Sequence, residues 1–484
     1  MTTDKNTITR TRSTTWIITG ILLSGLAWYF ADGLTGDLWY IMWLAPVPVL
    51  LLSLKTPAKW AFVIAFAAYL IGRLSWFSYL VRVATLVPAI VVTLLPALVF
   101  ALIILASRWC IMKINAWYTV FAFPVFFTLF EYGLINFSKD GTAASIAYSQ
   151  MNCIPLIQVA AVAGILGITF IITFIPSAIT LGWYYRATKA KLWAIVGTAT
   201  SLLIVVFLYG GLRIAPFDKQ PKIDVGLTSL DENIHSNSDH PNLEKEKQVT
   251  IAYMAQVKIL AAQGARIVLL PERAIGIDKA WANQIIAILD STAKQNHVYI
   301  IAGYTNQRNM PERNSAIVID PNGNVSADYN KTHLVTGFEN QFTPGGIPGL
   351  FKFNGVQSGV AICKDLDFQA YLKQYGENKP GFIFVPAWDF IVDDWLHGRM
   401  AVLRGVENGF SEIRSARLGR LTVSDQYGRV TAEIVTSNKK QASLLGSVSP
   451  QHINTLYTQW GDWLGMVCLL AALAFVFVGW RKKN

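Results

Sequence analysis

Charge is scarce in this 484-residue chain: Asp, Glu, Lys and Arg make up 15% of it, while apolar residues make up 53%. Soluble domains carry about 25% charged residues, so part of the chain must lie in something other than water. Disorder is excluded, because a chain this apolar has ample surface to bury. Cysteine is also sparse, with four residues at 110, 153, 363 and 468. They are too scattered for a disulfide framework; only Cys153 and Cys363 share the oxidising side in the topology read below, which leaves that one bridge open. The six histidines, at 235, 240, 297, 333, 397 and 452, form no pair at zinc-ligand spacing and have no cysteine pair beside them, so no metal site is expected. There is no Gly-x-Ser-x-Gly elbow, no Walker loop and no Gly-x-Gly-x-x-Gly after a strand. Serine hydrolases, nucleotide hydrolases and dinucleotide enzymes thereby lose their main supports, and no cofactor is expected.

The net charge of +11 is unevenly placed. Residues 1–212 hold thirteen Lys or Arg against five Asp or Glu, residues 459–484 hold three against one, and residues 213–458 hold twenty-five against twenty-four. The basic surplus belongs to the apolar parts, and the nearly neutral middle gives no hint of a nucleic-acid partner. A lipid bilayer is the partner that fits.

Seven apolar stretches precede the polar region, at 15–31, 38–54, 60–80, 84–107, 115–136, 154–183 and 192–212, and an eighth spans Trp463 to Trp480. Each is near or above the roughly 17 to 25 residues a crossing helix needs, and the sixth is long enough to include an interfacial segment. No small-residue cleavage site follows the first, which reads as an uncleaved anchor. The chain thus divides into a membrane domain over 1–212, an extracytoplasmic domain over 213–458, and a last helix with a short tail over 459–484. With the N-terminus inside, the cytoplasmic loops carry Lys5, Arg10, Arg12, Lys55, Lys59, Arg108, Lys113, Arg186, Lys189, Lys191, Arg481, Lys482 and Lys483, against only Arg82 and Lys139 opposite. This bias sets both termini in the cytoplasm and the polar middle outside. Two charges fall within spans, Arg73 and Glu131; they either pair internally or line a polar pocket. Trp28, Tyr29, Trp39, Tyr40 and Trp43 read as interfacial anchors.

From Pro221 the texture changes to alternating strands and helices. Strands are expected over Lys222–Leu227, Ala265–Leu270, Val298–Tyr304, Ala316–Asp320, Val325–Tyr329, Gly359–Cys363 and Phe382–Pro386. Helices are expected over Glu244–Gln263, Lys279–Gln295 and Phe368–Gln374. The pattern predicts an α/β domain with helices covering sheet faces. The turn-rich run Thr343 to Gly349 is either a lid or a rigid connection.

Three strand ends carry reactive groups. Ile267-Val-Leu-Leu-Pro-Glu272 delivers a carboxylate, Tyr329-Asn-Lys331 an ammonium, and Gly359-Val-Ala-Ile-Cys363 a thiol at a strand-to-helix corner. Alone, Cys363 could be a small buried hydrophobe. Together the three can supply base, oxyanion stabiliser and nucleophile.

The ordered set Leu-Pro-Glu272, Tyr-Asn-Lys331 and Ala-Ile-Cys363 resembles the carbon-nitrogen hydrolase (nitrilase) superfamily, as do His397-Gly-Arg-Met400, Arg404-Gly-Val-Glu407-Asn-Gly, Arg414-Ser-Ala-Arg and Asp425-Gln-Tyr-Gly-Arg429. The resemblance implies an αββα four-layer sandwich and a Glu-Lys-Cys triad. Insertion of that domain between seven membrane helices and one resembles the apolipoprotein N-acyltransferase family, including Tyr148-Ser-Gln150, Pro155-Leu-Ile-Gln158, Gly164-Ile-Leu-Gly167 and Lys331-Thr-His-Leu-Val-Thr-Gly-Phe-Glu339. It implies a further active-site carboxylate, Glu339, and a place in the bacterial inner membrane with the catalytic domain on the periplasmic side. Where the family usually has Tyr then Glu after the nucleophile, this chain has Lys364 and Asp365.

The resemblance further implies acyl transfer from a phospholipid donor, through a thioester on Cys363, to the α-amine of a diacylated apolipoprotein. Trp388, Phe390, Trp395 and the Gly-Gly-Ile-Pro-Gly loop are expected to face membrane or substrate, with a core role for Trp388 equally open. Lys364 and Asp365 keep a second reading in play, a membrane-tethered amidase that hydrolyses a C–N bond. A non-catalytic scaffold is opposed by the intact Glu272, Lys331 and Cys363.

Overall fold

The computed structural model describes residues 14–31, 34–214, 221–232 and 242–482. Lys5, Arg10, Arg12, Asp32, Lys483 and most of the polar loop after the first strand (Asn233, His235, Asn237, Ser238, Asp239 and His240) lie outside the described residues. The chain forms two compact units, Met1–Ile214 with Asp462–Asn484, and Ala215–Gly461.

The first unit is helical: α1 (Thr14–Ala31), α2 (Val47–Ser53), α3 (Ala58–Ala84), α4 (Leu86–Ile114), α5 (Ala122–Phe137), α6 (Ile154–Ile157), α7 (Ala160–Tyr184), α8 (Lys189–Ile214) and a closing helix, Trp463–Arg481. Among the described residues seven helices are long and apolar enough to cross a bilayer. The stretch at 38–54 is not one of them. It is a 3₁₀ turn, Trp39–Trp43, followed by the seven-residue α2. Pro46 and Pro48 explain the break, since proline can open a helix but cannot continue one. The segment packs along α1, for Ala45 accepts a hydrogen bond from Ser24 in mid-α1 and Leu52 packs on Gly20 nearer its start.

Small residues let these helices approach closely. A Cβ at Gly25 would lie 2.8 Å from Ile71 Cβ, and one at Gly72 would overlap Trp28. Trp28 is therefore not an interfacial anchor: it is 1% exposed and packs edge-on against Tyr69 and Phe100. Tyr29 and Tyr40 are exposed. Glu131 is buried and accepts hydrogen bonds from Ser145 Oγ (2.9 Å), the Ile146 N–H (2.8 Å) and Thr169 Oγ1, which ties α5 to α7 and to the 3₁₀ turn Ile146–Gln150. Arg73 is buried with its guanidinium over the Trp76 ring.

The contacts sort this unit into two ends. At one, Asn152 bonds the Gly36 carbonyl, Gln150 the Trp39 carbonyl, Arg213 the Gln158 side chain and Trp463 the Val162 carbonyl. At the other, Arg108 bonds the Ser53 and Thr56 carbonyls, Lys191 the Asn115 carbonyl and Lys482 the Ile114 carbonyl. Cations capping helix C-termini in this way are favourable. The second end also carries Lys55, Lys59, Lys113, Arg186 and Lys189, whereas α8 finishes, and the closing helix begins, at the first.

The second unit contains thirteen strands among the described residues. They are β1 (Ile223–Leu230), β2 (Ile267–Leu269), β3 (Ile275–Asp278), β4 (Tyr299–Gln307), β5 (Arg313–Ile319), β6 (Val325–Asn330), β7 (Gly349–Phe353), β8 (Val356–Val360), β9 (Phe382–Trp388), β10 (Ser411–Arg417), β11 (Arg420–Ser424), β12 (Val430–Val435) and β13 (Gln441–Val448). The helices are α9 (Leu243–Ala262), α10 (Ala282–Asn296), α11 (Gln369–Glu377), α12 (Asp394–Asn408) and the short α13 (Leu456–Trp460). One sheet has the order β13-β1-β2-β4-β5-β6, with β3 beside β4; the other has β12-β11-β10-β9-β8-β7.

Alternation along the strands explains the layering. Ile267, Leu269, Tyr299 and Ile301 point into one core with Phe351, Val360, Phe384, Ile413 and Val423 of the other sheet. Val268, Leu270, Ile300 and Ala302 point the opposite way, onto Val249, Tyr253 and Val257 of α9 and Ile285 and Leu289 of α10. On the far side Ile383, Val385 and Ala416 meet Leu372 and Tyr375 of α11 and Ala401 of α12. The result is helix, sheet, sheet, helix: an αββα sandwich.

Candidate active site

Strands β2, β6 and β8 each lead into a reactive residue, Glu272, Lys331 and Cys363. After β2, Leu270 still pairs with Ile301, and the Glu272 N–H reaches across the sandwich to the Ala387 carbonyl (3.3 Å) at the tip of β9. Gly303 makes room for this crossing, since a Cβ there would come within 2.7 Å of Glu272 Cα. Lys331 continues the β5–β6 ladder by one bond, from its N–H to the Asn314 carbonyl (2.8 Å). Cys363 opens a 3₁₀ turn, Cys363–Asp367, in the left-handed region at φ 44°. A non-glycine residue is held there only where its surroundings enforce it, and such strain collects at functional sites.

Lys331, 1% exposed, donates from Nζ to Glu272 Oε1 (2.7 Å) and to Glu339 Oε2 (2.8 Å). Asn314, which sequence reasoning missed, donates from Nδ2 to the same two carboxylates. The hairpin register could have found it: Ser315 faces Asn330, so Asn314 stands beside Lys331. Glu339 also accepts the Val335 N–H (2.7 Å).

These contacts push the two carboxyls apart. Burial, reinforced by the Glu339 charge, lifts Glu272 above the usual carboxylate range despite Lys331. Burial would lift Glu339 too, but Lys331, the Val335 N–H and Asn314 outweigh it and hold that carboxyl low. Burial works against the Lys331 ammonium, yet the two carboxylates keep its pKa well above the ordinary value. Divergent carboxyls of this kind mark one proton acceptor and one fixed anion. Burial, then the Glu272 charge, pushes the Cys363 thiol well up, with Lys331 opposing. The thiol therefore needs a base. Its Sγ lies 3.6 Å from the Trp388 carbonyl.

Asp365 does not face the reacting groups. Its Oδ1 accepts the Thr332 and His333 N–H groups (3.1 and 2.8 Å), and its Oδ2 accepts the Tyr329 hydroxyl (2.6 Å) and the Ile362 N–H (2.9 Å). It ties the segment after Lys331 to the turn that carries Cys363. Lys364 sits in the same turn, nearly buried. Trp388 is half-buried, with Arg417 stacked on its ring at 3.8 Å and Arg273 at 5.5 Å. Phe390 is half-buried against Phe338, ring centres 5.1 Å apart. Trp395 departs from expectation: it is 7% exposed and carries Arg399 on its ring, because it lies in the first turn of α12, on the side facing the core. The site's apolar rim is instead Phe338 and Ile391, each 47% exposed. The turn-rich run is pinned at its start by Thr343 to Glu312, Gly345 to Lys331 and Arg313 to the Pro344 carbonyl, which supports a rigid connection. It walls a cavity of about 420 Å³ with Asp328 and Asn330, which no residue of the triad lines. All four cysteines are free, so no bridge joins Cys153 to Cys363. Among the described residues no His, Cys, Asp and Glu cluster could hold a metal ion.

Residues 20–178 match the model of the apolipoprotein N-acyltransferase N-terminal domain, and residues 210–444 match that of the carbon-nitrogen hydrolases. The chain belongs to the apolipoprotein N-acyltransferase family. The apolipoprotein N-acyltransferase of Geobacter metallireducens is 24% identical over 494 residues, covering 92% of each chain. That of Brucella melitensis is 24% identical over 502 residues, covering 96% of this chain and 84% of its own. Among solved structures, the nitrilase-superfamily amidase of Nesterenkonia sp. AN1 is 17% identical with a TM-score of 0.43, covering 51% of this chain and 95% of that one.

Proposed function

We propose that this multi-pass membrane enzyme is an apolipoprotein N-acyltransferase that works through an acyl thioester on Cys363. Family membership over both units carries the assignment of N-acyl transfer. The single observation behind the mechanism is the shared ammonium: one buried Lys331 bridging a carboxylate of raised pKa and a carboxylate of lowered pKa beside a strained cysteine.

In the first step Glu272 takes the Cys363 proton, and the thiolate attacks an ester carbonyl of a phospholipid. Lys331, with a backbone N–H of the turn, balances the tetrahedral oxyanion. The C–O bond breaks, Glu272 returns the proton to the departing glyceryl oxygen, and lysophospholipid leaves. In the second step the free α-amine of a diacylglyceryl-cysteine attacks the thioester while Glu272 accepts its proton. The C–S bond breaks, the thiol is restored and an amide remains. Glu339 keeps Lys331 charged in both steps, and Asn314 holds the two carboxylates in place. The exposed Phe338 and Ile391 suit substrates with acyl chains. The basic end of the helical unit is assigned to the cytoplasm, which puts the polar unit and Cys363 outside.

Amidase chemistry is less well supported, since the relatives that match over both units are N-acyltransferases and, of Lys364 and Asp365, which favoured it, Asp365 is occupied in fastening backbone. The test is to incubate purified enzyme with labelled phospholipid and follow the label by mass spectrometry before and after adding a diacylated lipopeptide. Label on Cys363 that moves to the peptide amine is expected. Turnover of simple amides with no thioester from phospholipid would contradict it.

A further inference from the structure

We propose that Arg273 is the binding site for the anionic phosphodiester of the acyl donor. The residue follows the base directly and is itself in the left-handed region, at φ 49°. Its backbone carbonyl accepts a hydrogen bond from Arg417 Nη1 (3.2 Å), and its Nε donates to Thr305 Oγ1 (3.2 Å) on β4. The guanidinium lies over the Phe342 ring at 5.0 Å and the Trp388 ring at 5.5 Å. It is thus fixed in place before any ligand arrives.

Glu272 and Glu339 act on its charge from a distance, but no carboxylate among the described residues holds it directly in an ion pair. Nε is its one hydrogen-bonded nitrogen among them. The neighbouring Arg417, stacked on the same Trp388, is different: Glu232 takes both of its outward donors. Two guanidiniums share one indole, one neutralised and one left with its terminal N–H groups uncommitted at a half-buried position. Aromatic packing and a single anchor orient an arginine fork, and such a fork fits the paired oxygens of a phosphate.

The position fits the donor. Trp388 carries the Cys363 sulfur at its carbonyl and the Arg273 guanidinium at its ring, so thiol and cation lie at the two ends of one residue. In a glycerophospholipid the ester carbonyl and the phosphodiester are likewise separated by a short glycerol segment. The acceptor lipopeptide offers an amine near its thioether-linked lipid and no phosphate, so the site distinguishes donor from acceptor. This inference rests on the proposed phospholipid donor.

Acyl-Cys363 formation from dioleoylphosphatidylglycerol and from dioleoylglycerol, both in the same neutral detergent, measures the contribution by intact-protein mass spectrometry. The wild-type enzyme should acylate about tenfold to a hundredfold faster from the phospholipid, the range of a charge-assisted hydrogen-bond pair. Arg273→Gln should bring the two donors to within about twofold, and Arg273→Lys should keep part of the preference. Equal wild-type rates from the two donors would overturn the inference without any variant. So would an Arg273→Gln enzyme that is slowed alike with both donors, the mark of a residue that only balances the charge of Glu272 and Glu339. Absence of any acyl adduct from either lipid in the wild type would instead overturn the proposed function.

Discussion

Both units bury a glutamate, and the two are treated in opposite ways. Glu131 in the helical unit accepts from donors that do not titrate, among them two hydroxyls and a backbone N–H. Glu272 in the sandwich shares a lysine and an asparagine with a second carboxylate, beside a thiol. The first arrangement spends the charge on joining α5, α7 and a turn. The second keeps three ionisable groups in mutual contact, so a proton gained by one changes the others. Burial of a carboxylate therefore says little about function until its donors are named.

The comparison can be broken at several points. Cys363→Ala should remove the nucleophile and lower acyl transfer by on the order of 10⁴-fold or more, with no label retained on the protein. Glu339→Gln and Asn314→Ala should each lower the rate by about 10²-fold. They should also move the acid limb of the pH–rate profile, because both act on the Glu272 proton. In the wild type that limb should lie above the ordinary carboxylate range, since Glu272 must be ionised to act and burial raises its pKa.

A titration in the sandwich but away from the triad sharpens the contrast. Burial alone would depress His397, but Asp393, Asp389 and Asp367 outweigh it and raise its pKa to about 9. Protonation is thus favoured by folding, and the resulting stability is present in full below the unfolded pKa near 6.5 and is lost as pH rises through about 9. His397→Gln should cost up to about 3 kcal/mol at pH 6 in thermal or denaturant unfolding, and little at pH 10. The smallest effect is expected at Glu131. Glu131→Gln should destabilise the helical unit by about 1 to 2 kcal/mol in detergent, from weakened hydrogen bonds, while leaving the pH profile of acylation where it is. A shifted profile would place Glu131 in the chemistry and remove the distinction.

Much of this was legible in the sequence where apolar patterning carries the signal. β2, β4 and β9 read as apolar runs because both faces are buried, and the hairpin β5–β6 was marked by Pro-Asn-Gly-Asn; the run Gly359–Cys363 meets β8 only at Gly359 and Val360, since β8 begins at Val356 with polar Gln357 and Ser358. β10 was not legible. Ser411-Glu-Ile-Arg-Ser-Ala-Arg417 looks like surface, yet every residue is buried, because Arg414 makes a two-armed ion pair with Asp389 and Ser415 bonds the Thr228 carbonyl. Long-range pairing of that kind leaves no periodicity. The second apolar stretch had a spanning composition, but its two prolines forbid one continuous helix. Trp28 and Trp395 were misplaced for one reason: a tryptophan near a helix end serves an interface or a core equally well until its neighbours are known. At the site the three reactive residues were visible as strand ends, whereas Asn314 and the fastening role of Asp365 depend on which segments meet.

The most direct measurement is a single-turnover partition experiment. Enzyme acylated on Cys363 with labelled chain is freed of donor and mixed with diacylated lipopeptide, and the label is followed into peptide amide and into free fatty acid. Transfer predicts that the amide forms at the rate at which acyl-Cys363 disappears and takes nearly all of the label. Label that leaves mainly as fatty acid, at a rate indifferent to the peptide, would contradict it.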